Sequence, residues 1–300
     1  MTYAEQARCL GRGSLARLRR HDLVLCAAGV TFYAAISAVP GMFVALRVAA
    51  ALTSPTHVVH LGADLAQALP QTLGAPAVVR SLFDRAAGLG WWQVAVALFP
   101  ASLYGEGLRR ALVTLGDAED RLTGWRGRLA LLPVLAVAPA LLLVLLAMTP
   151  RLAHLFGQGG WAGVLGVVIA FTTDWLLVSG PLVWVFRVVA GGAPDWRAAV
   201  VGGVLTASFV AGFLQGFVLF LSLPLNLGAP FGGLTAIGGA CALLLWLWLL
   251  HLVALTGYVV TVTASDLLAT ASGQGTARGF DPSEEEPAAL DGARRTHGLR

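Results

Sequence analysis

Charge is scarce in this sequence. Only 12% of its 300 residues are Asp, Glu, Lys or Arg, while 57% are hydrophobic. A soluble domain carries about 25% charged residues. A water-soluble fold this apolar could not cover its own surface, so the surplus Leu, Val, Ala and Gly must face lipid. Lysine is missing altogether, and all 20 basic residues are Arg. Together with abundant Ala, Gly, Leu and Val, this bias points to a GC-rich bacterial genome. Cysteine is nearly absent too: Cys9, Cys26 and Cys241 are odd in number and widely spaced. That excludes a disulfide framework and leaves no cysteine metal site. Soluble-enzyme motifs are lacking: the chain has no P-loop, no GxSxG with a triad, no HExxH and no CxxC. No catalytic residue, metal site or cofactor is therefore expected. The net charge of +4 does not imply nucleic acid, because the Arg residues sit between apolar runs and form no basic face.

What the sequence does have is long apolar runs, at approximately 24–52, 91–110, 129–149, 161–186, 198–221 and 233–262. Each reaches the roughly 20 residues needed to cross a hydrocarbon core of about 30 Å. The expected fold class is all-α: a polytopic membrane protein of about six transmembrane helices. Internal Pro40, Pro139 and Pro181 are compatible with helices in lipid. The first run is too long for a cleavable signal and reads as a retained span. Arg distribution sets the orientation. Cytoplasmic termini put most Arg inside, leaving Arg80, Arg85 and Arg151 outside and Arg47 near the outer end of the first span.

Three regions follow. Residues 1–23 are a basic N-terminus in which Arg8, Arg12, Arg17, Arg19 and Arg20 alternate with Leu, suited to an amphipathic surface helix or a plain basic flank. Residues 24–265 form the membrane domain, with one sizeable outer loop at 53–90. Amphipathic stretches near 59–69 and 76–87 predict two short surface helices there. Residues 266–300 mix Gly, Pro, Ser and both charge signs, and read as a disordered cytoplasmic tail.

Several side chains stand out against the apolar background. Tyr33, Ser37 and Pro40 follow i, i+4, i+7 spacing and share one helical face. They fit either a polar, cavity-lining stripe or an interhelical packing seam. Asp174 lies mid-run behind Thr172 and Thr173. An ionisable group at that depth marks a functional site by default. Its choices are pairing with His251 of the sixth run, hydrogen bonds from the threonines, or protonation. Glu106 and Arg110 form an i, i+4 pair beside Arg109, and Arg121 and Arg128 extend that basic rim. The group suits an interfacial ion pair or an anionic headgroup site. Gly212 and Gly216 make a GxxxG that permits close helix approach. His57, His60 and Asp64 share a face of the outer loop, and Asp117, Glu119 and Asp120 crowd an inner one. Both clusters read as solvated surface.

The order of four stretches resembles the YihY/virulence factor BrkB family. "VTFYAAISAVPGMFVAL", with Tyr33, Ser37 and Pro40, is similar to its first span. "DRLTGWRGRLALL", with Arg121, Trp125 and Arg128, is similar to the basic approach to its third. "DWRAAVVGGVLTA" carries Trp196, Arg197 and Gly202. The closing run "NLGAPFGGLTAIGGACALLLWLWLLHLVALTGYVVTVTA" carries Asn226, Gly232, Trp246 and Gly257. The resemblance spans roughly residues 15–265. It departs in the outer turn, where Phe231-Gly232 stands for a usual Tyr-Gly, and after Gly257, where Tyr258 and Val259 replace a frequent Glu. The resemblance implies a six-span protein of the bacterial cytoplasmic membrane. It also implies no nuclease activity, since the family's old ribonuclease label is regarded as mistaken. Transport or handling of a lipid, amphiphile or other envelope-related solute is the expected role, with membrane lipids as partners. A non-transporting scaffold, working as a homo-oligomer or with an envelope protein, is the alternative.

Overall fold

The computed structural model describes residues 3–68, 75–118, 160–192, 194–222 and 226–271, with isolated positions at 130, 133, 134, 137 and 141. Every regular element among the described residues is helical. The expected third span, 129–149, and the tail from 272 onward lie outside them.

Helix α1 (Tyr3–Arg20) is joined to α2 (Leu23–Leu52) by a two-residue turn. Asp22 caps α2 from the left-handed region, at φ 44°, where its carboxylate accepts the Leu25 N–H at 3.2 Å. Helix α2 runs unbroken through Pro40. The two short outer-loop helices are α3 (Pro55–Ala68) and α4 (Ala75–Ala87). They pack on each other and on the C-terminal half of α2, burying Leu46, Ala49, Ala50, Val58, Phe83 and Ala86. Helix α5 (Trp91–Leu115) follows.

The later helices are α6 (Gly160–Trp184), α7 (Trp196–Ser222) and α8 (Thr235–Ala271). One π-helical turn, Val185–Val189, extends α6 just beyond Pro181. Pro181 has no N–H to donate to the Leu177 carbonyl one turn back in its helix. Helix α8 continues through Ala271, so the beginning of the tail expected at 266 is helical.

Helices α2, α6, α7 and α8 are each long and apolar enough to cross a membrane. Helix α5 has the length, with 25 residues, but Gln93, Glu106, Arg109 and Arg110 make it the more polar member. Neighbours form a row in the order α5, α2, α8, α7, α6. Large apolar side chains stay exposed along it, including Val164, Leu165, Val167, Val168 and Leu176 of α6 and Leu243, Leu244 and Leu245 of α8. Contiguous surface of this kind calls for lipid or another helix, because water would oppose it.

The row has two distinct ends. At the loop end, the Arg47 Nε of α2 donates to the Leu89 carbonyl at 2.7 Å, and its guanidinium lies 4.5 Å from the centre of the Trp91 ring. Exposed Trp91, Trp92 and Trp161 begin α5 and α6 at that end, as an interfacial aromatic belt would. The basal end gathers α1, the end of α5, the π turn, the start of α7 and the end of α8. Its core holds Ala27, Val30, Leu112, Leu115, Phe186, Val189, Leu255, Tyr258, Val259 and Val262.

Candidate functional site

Three polar constellations interrupt this apolar frame. The first joins α2, α5 and α8 around His251, which is buried. Thr31 Oγ1 lies 3.1 Å from its Nδ1, and the Tyr104 hydroxyl lies 3.2 Å from its Nε2. Thr31 also donates to the Ala27 carbonyl at 2.8 Å. Both ring nitrogens therefore have partners, as a buried imidazole requires. One turn on, the Ser37 hydroxyl donates to the Pro100 carbonyl at 2.7 Å and accepts the Tyr104 N–H at 3.1 Å. Ser37 thus bridges the two backbone groups that face each other across one turn of α5. Tyr33 lies against Gly107, where any Cβ would overlap its ring. Tyr33 and Ser37 thus lie in the contact between α2 and α5, and His251 joins α8 to it.

The second constellation joins α6 and α7. Asp174 Oδ2 accepts from Gln215 Nε2 at 2.5 Å, and both residues are half-buried. Two of the partners anticipated for Asp174 are engaged elsewhere: His251 with Thr31 and Tyr104, and the Thr172 hydroxyl with the Val168 carbonyl at 2.7 Å. Gln215 is the residue that sequence reasoning missed. It is the one amide in an otherwise apolar run, and that signal was available.

The third constellation closes the basal end. Arg17 of α1 reaches Asp117 Oδ2 at 3.3 Å, Asp266 Oδ2 at 3.0 Å and Thr263 Oγ1 at 3.3 Å. His21 Nε2 lies 2.8 Å from Asp117 Oδ1. Asp117 is thus engaged by two side chains of the α1–α2 corner while remaining exposed, as expected for a surface acid. It sits at φ 48° just after α5, where Ala118 N–H closes back on the Val113 carbonyl at 3.2 Å. That is the left-handed position of a Schellman-type ending, usually filled by Gly. Glu119 and Asp120 lie outside the described residues.

On α5, Glu106 binds both arginines. Arg110 Nε donates at 2.7 Å and Arg109 Nη2 at 3.2 Å, both to Oε1. Arg109 is buried, whereas Arg110 is exposed. Arg121 and Arg128, the rest of the anticipated rim, lie outside the described residues. His57, His60 and Asp64 are exposed on α3, and no cluster of three or more His, Cys, Asp or Glu suited to a metal occurs among the described residues.

The close helix approach falls elsewhere than Gly212 and Gly216. A Cβ on Gly212 or Gly216 would make ordinary contact, 3.9 Å from Phe171 and 3.7 Å from Trp246. A Cβ on Gly202 would overlap Thr261, and one on Gly257 would overlap Thr206. Each threonine also donates to the carbonyl of the glycine one turn back on its own helix, at 2.7 Å. Two Gly-x-x-x-Thr units on α7 and α8 therefore interlock reciprocally, a small-xxx-small contact.

Membrane-length helices with large exposed apolar faces define a multi-pass helical membrane protein. A sequence model of the family described as virulence factor BrkB matches residues 14–279, most of the chain. The protein belongs to that family, as the sequence motifs implied. No curated protein and no solved structure matches it.

Proposed function

We propose that the protein is a six-span protein of the bacterial cytoplasmic membrane that moves or handles a lipid or other amphiphile and performs no catalysis. Both termini then face the cytoplasm. Arg8, Arg12, Arg17, Arg19, Arg20, Arg187 and Arg197 lie at the basal end, against Arg47, Arg80 and Arg85 at the loop end, and the side richer in Arg is the inner one. Residues 129–149 supply the remaining span in this reading.

The observation that carries the functional part is the Asp174–Gln215 pair. A carboxylate at membrane depth costs about 2.5–3.5 kcal/mol or more on an isolated helix, and such groups mark solute pathways. Tyr33, Ser37 and His251 are committed to holding α2, α5 and α8 together. That leaves the pair on α6 and α7 as the polar feature a passing headgroup would meet. The path therefore runs along the α6–α7 face and not along the α2 stripe.

Reconstitution tests this directly. Proteoliposomes carrying a reporter phospholipid are expected to lose it from the inner leaflet with wild type and not with Asp174→Asn. Equal rates would remove Asp174 from the path. No translocation by correctly inserted wild type would favour the scaffold reading.

A further inference from the structure

The basal end contains a cleft of about 340 Å³, lined by Gly13, Ala16, Arg17 and Arg20 of α1, by Asp117, and by Thr263, Asp266, Leu267 and Thr270 of α8. Its volume lies within the range of about 300–1,000 Å³ usual for small-molecule pockets. We propose that this cleft binds the headgroup of a zwitterionic phospholipid carrying a primary ammonium, with the phosphate on Arg20 and the ammonium on Asp266.

The charge pattern selects the ligand. Among the described residues, Arg17 and Arg20 share the lining with Asp117 and Asp266, two of each sign. A simple anion would meet two carboxylates and a simple cation two guanidiniums. A ligand bearing both signs satisfies both sets. Arg17 is already held by Asp117, Asp266 and Thr263. Arg20 is exposed one turn further along α1, beside the same cleft. Asp266 meets Arg17 through Oδ2, and its side chain is 56% exposed, so the carboxylate is accessible to a ligand.

Position supplies the lipid. Helix α1 is a basic amphipathic helix that ends where the first span begins, as an interfacial helix does. Helix α8, at 37 residues, is about 55 Å long and exceeds a hydrocarbon core of about 30 Å, so its last turns emerge at headgroup level. Ala16, Leu267 and the glycine backbone provide an apolar flank for the glycerol and upper acyl chains. Among the described residues, no aromatic ring lines the cleft. Quaternary ammonium groups are recognised by aromatic cages, whereas a primary ammonium donates hydrogen bonds to a carboxylate. The cleft therefore favours ethanolamine-type over choline-type headgroups. This site stands independently of translocation, because it makes no use of Asp174.

The test is lipid retention by the full-length protein in detergent, read by native mass spectrometry. The probes are phosphatidylethanolamine, phosphatidylcholine and phosphatidylglycerol with identical chains. Wild type is expected to retain phosphatidylethanolamine preferentially. Arg20→Gln, which breaks none of the α1 contacts described above, is expected to weaken that retention about tenfold, the size of one charge-assisted hydrogen bond. Asp266→Asn is expected to weaken it similarly and to raise retention of anionic phosphatidylglycerol. Equal retention of all three lipids by wild type would overturn the proposal. So would unchanged retention in both folded variants. Soluble phosphoethanolamine competing as well as the intact lipid would overturn the lipid assignment.

Discussion

His251 is the residue whose surroundings argue most clearly for a structural role. Both its nitrogens are partnered, by side chains from two other helices. Tyr104→Phe removes one of those partners and little else. Interhelical hydrogen bonds in membranes contribute about 0.6 kcal/mol on average and at most about 1.7. The variant is therefore expected to unfold more easily in detergent by an amount within that range, with translocation kept. A full loss of transport with unchanged stability would put Tyr104 in the pathway instead. Ser37 makes a similar point about legibility. Its place on one face with Tyr33 and Pro40 was readable from spacing. Its partner, the Pro100 carbonyl, was not, since a backbone group 63 positions away leaves no mark in side-chain pattern. Asp174 was legible as an anomaly for the same reason that its partner was obscure. Depth in an apolar run is a local property, whereas pairing depends on which helices are neighbours.

At the scale of the element, two contacts decide how helices meet. The Gly202–Thr261 and Gly257–Thr206 contacts set the distance between α7 and α8. Gly257→Leu is expected to cost more than the about 1–3 kcal/mol of ordinary overpacking, because its side chain would enter Thr206 with no space beside it. The yield of folded monomer should collapse, whereas Gly212→Leu, on an exposed position, should leave it near wild type. Size-exclusion profiles of the two variants compare them directly. The pattern was half legible. A GxxxG is conspicuous, but 36 glycines scatter such spacings through the chain, and threonine fills the small position just as well. Helix α1 depends instead on Arg17 and Asp117, which are partly exposed. Such pairs contribute up to about 1 kcal/mol. Asp117→Ala should therefore raise proteolysis within α1 about fivefold, as measured by limited digestion in detergent. The basic flank was visible in the sequence. That it docks on α8 and the end of α5 was not, because amphipathicity alone does not name the surface a helix lies on.

For the whole molecule, the orientation proposed above puts the basal end, with α1 and most of the described arginines, in the cytoplasm and the α3–α4 end outside. Hydropathy made the long apolar elements legible, and their observed bounds fall within a few residues of those expected for α2, α6 and α7. The overrun of α8 through Ala271 was not legible, because Ser265, Asp266 and Thr270 read as the beginning of a tail. In the folded chain Ser265 and Asp266 bond with the start of α7 and with α1. The most direct test is sidedness of cysteine labelling. Cys26 and Cys241 would be replaced by Ser, leaving exposed Cys9 on α1 in one protein. In a second, Cys9 is also replaced and exposed His57 on α3 becomes cysteine, as His57→Cys. An impermeant maleimide added to intact spheroplasts is predicted to label the His57→Cys protein at once and Cys9 only after permeabilisation. Labelling of Cys9 in intact cells, with His57→Cys protected, would invert the molecule and contradict the account.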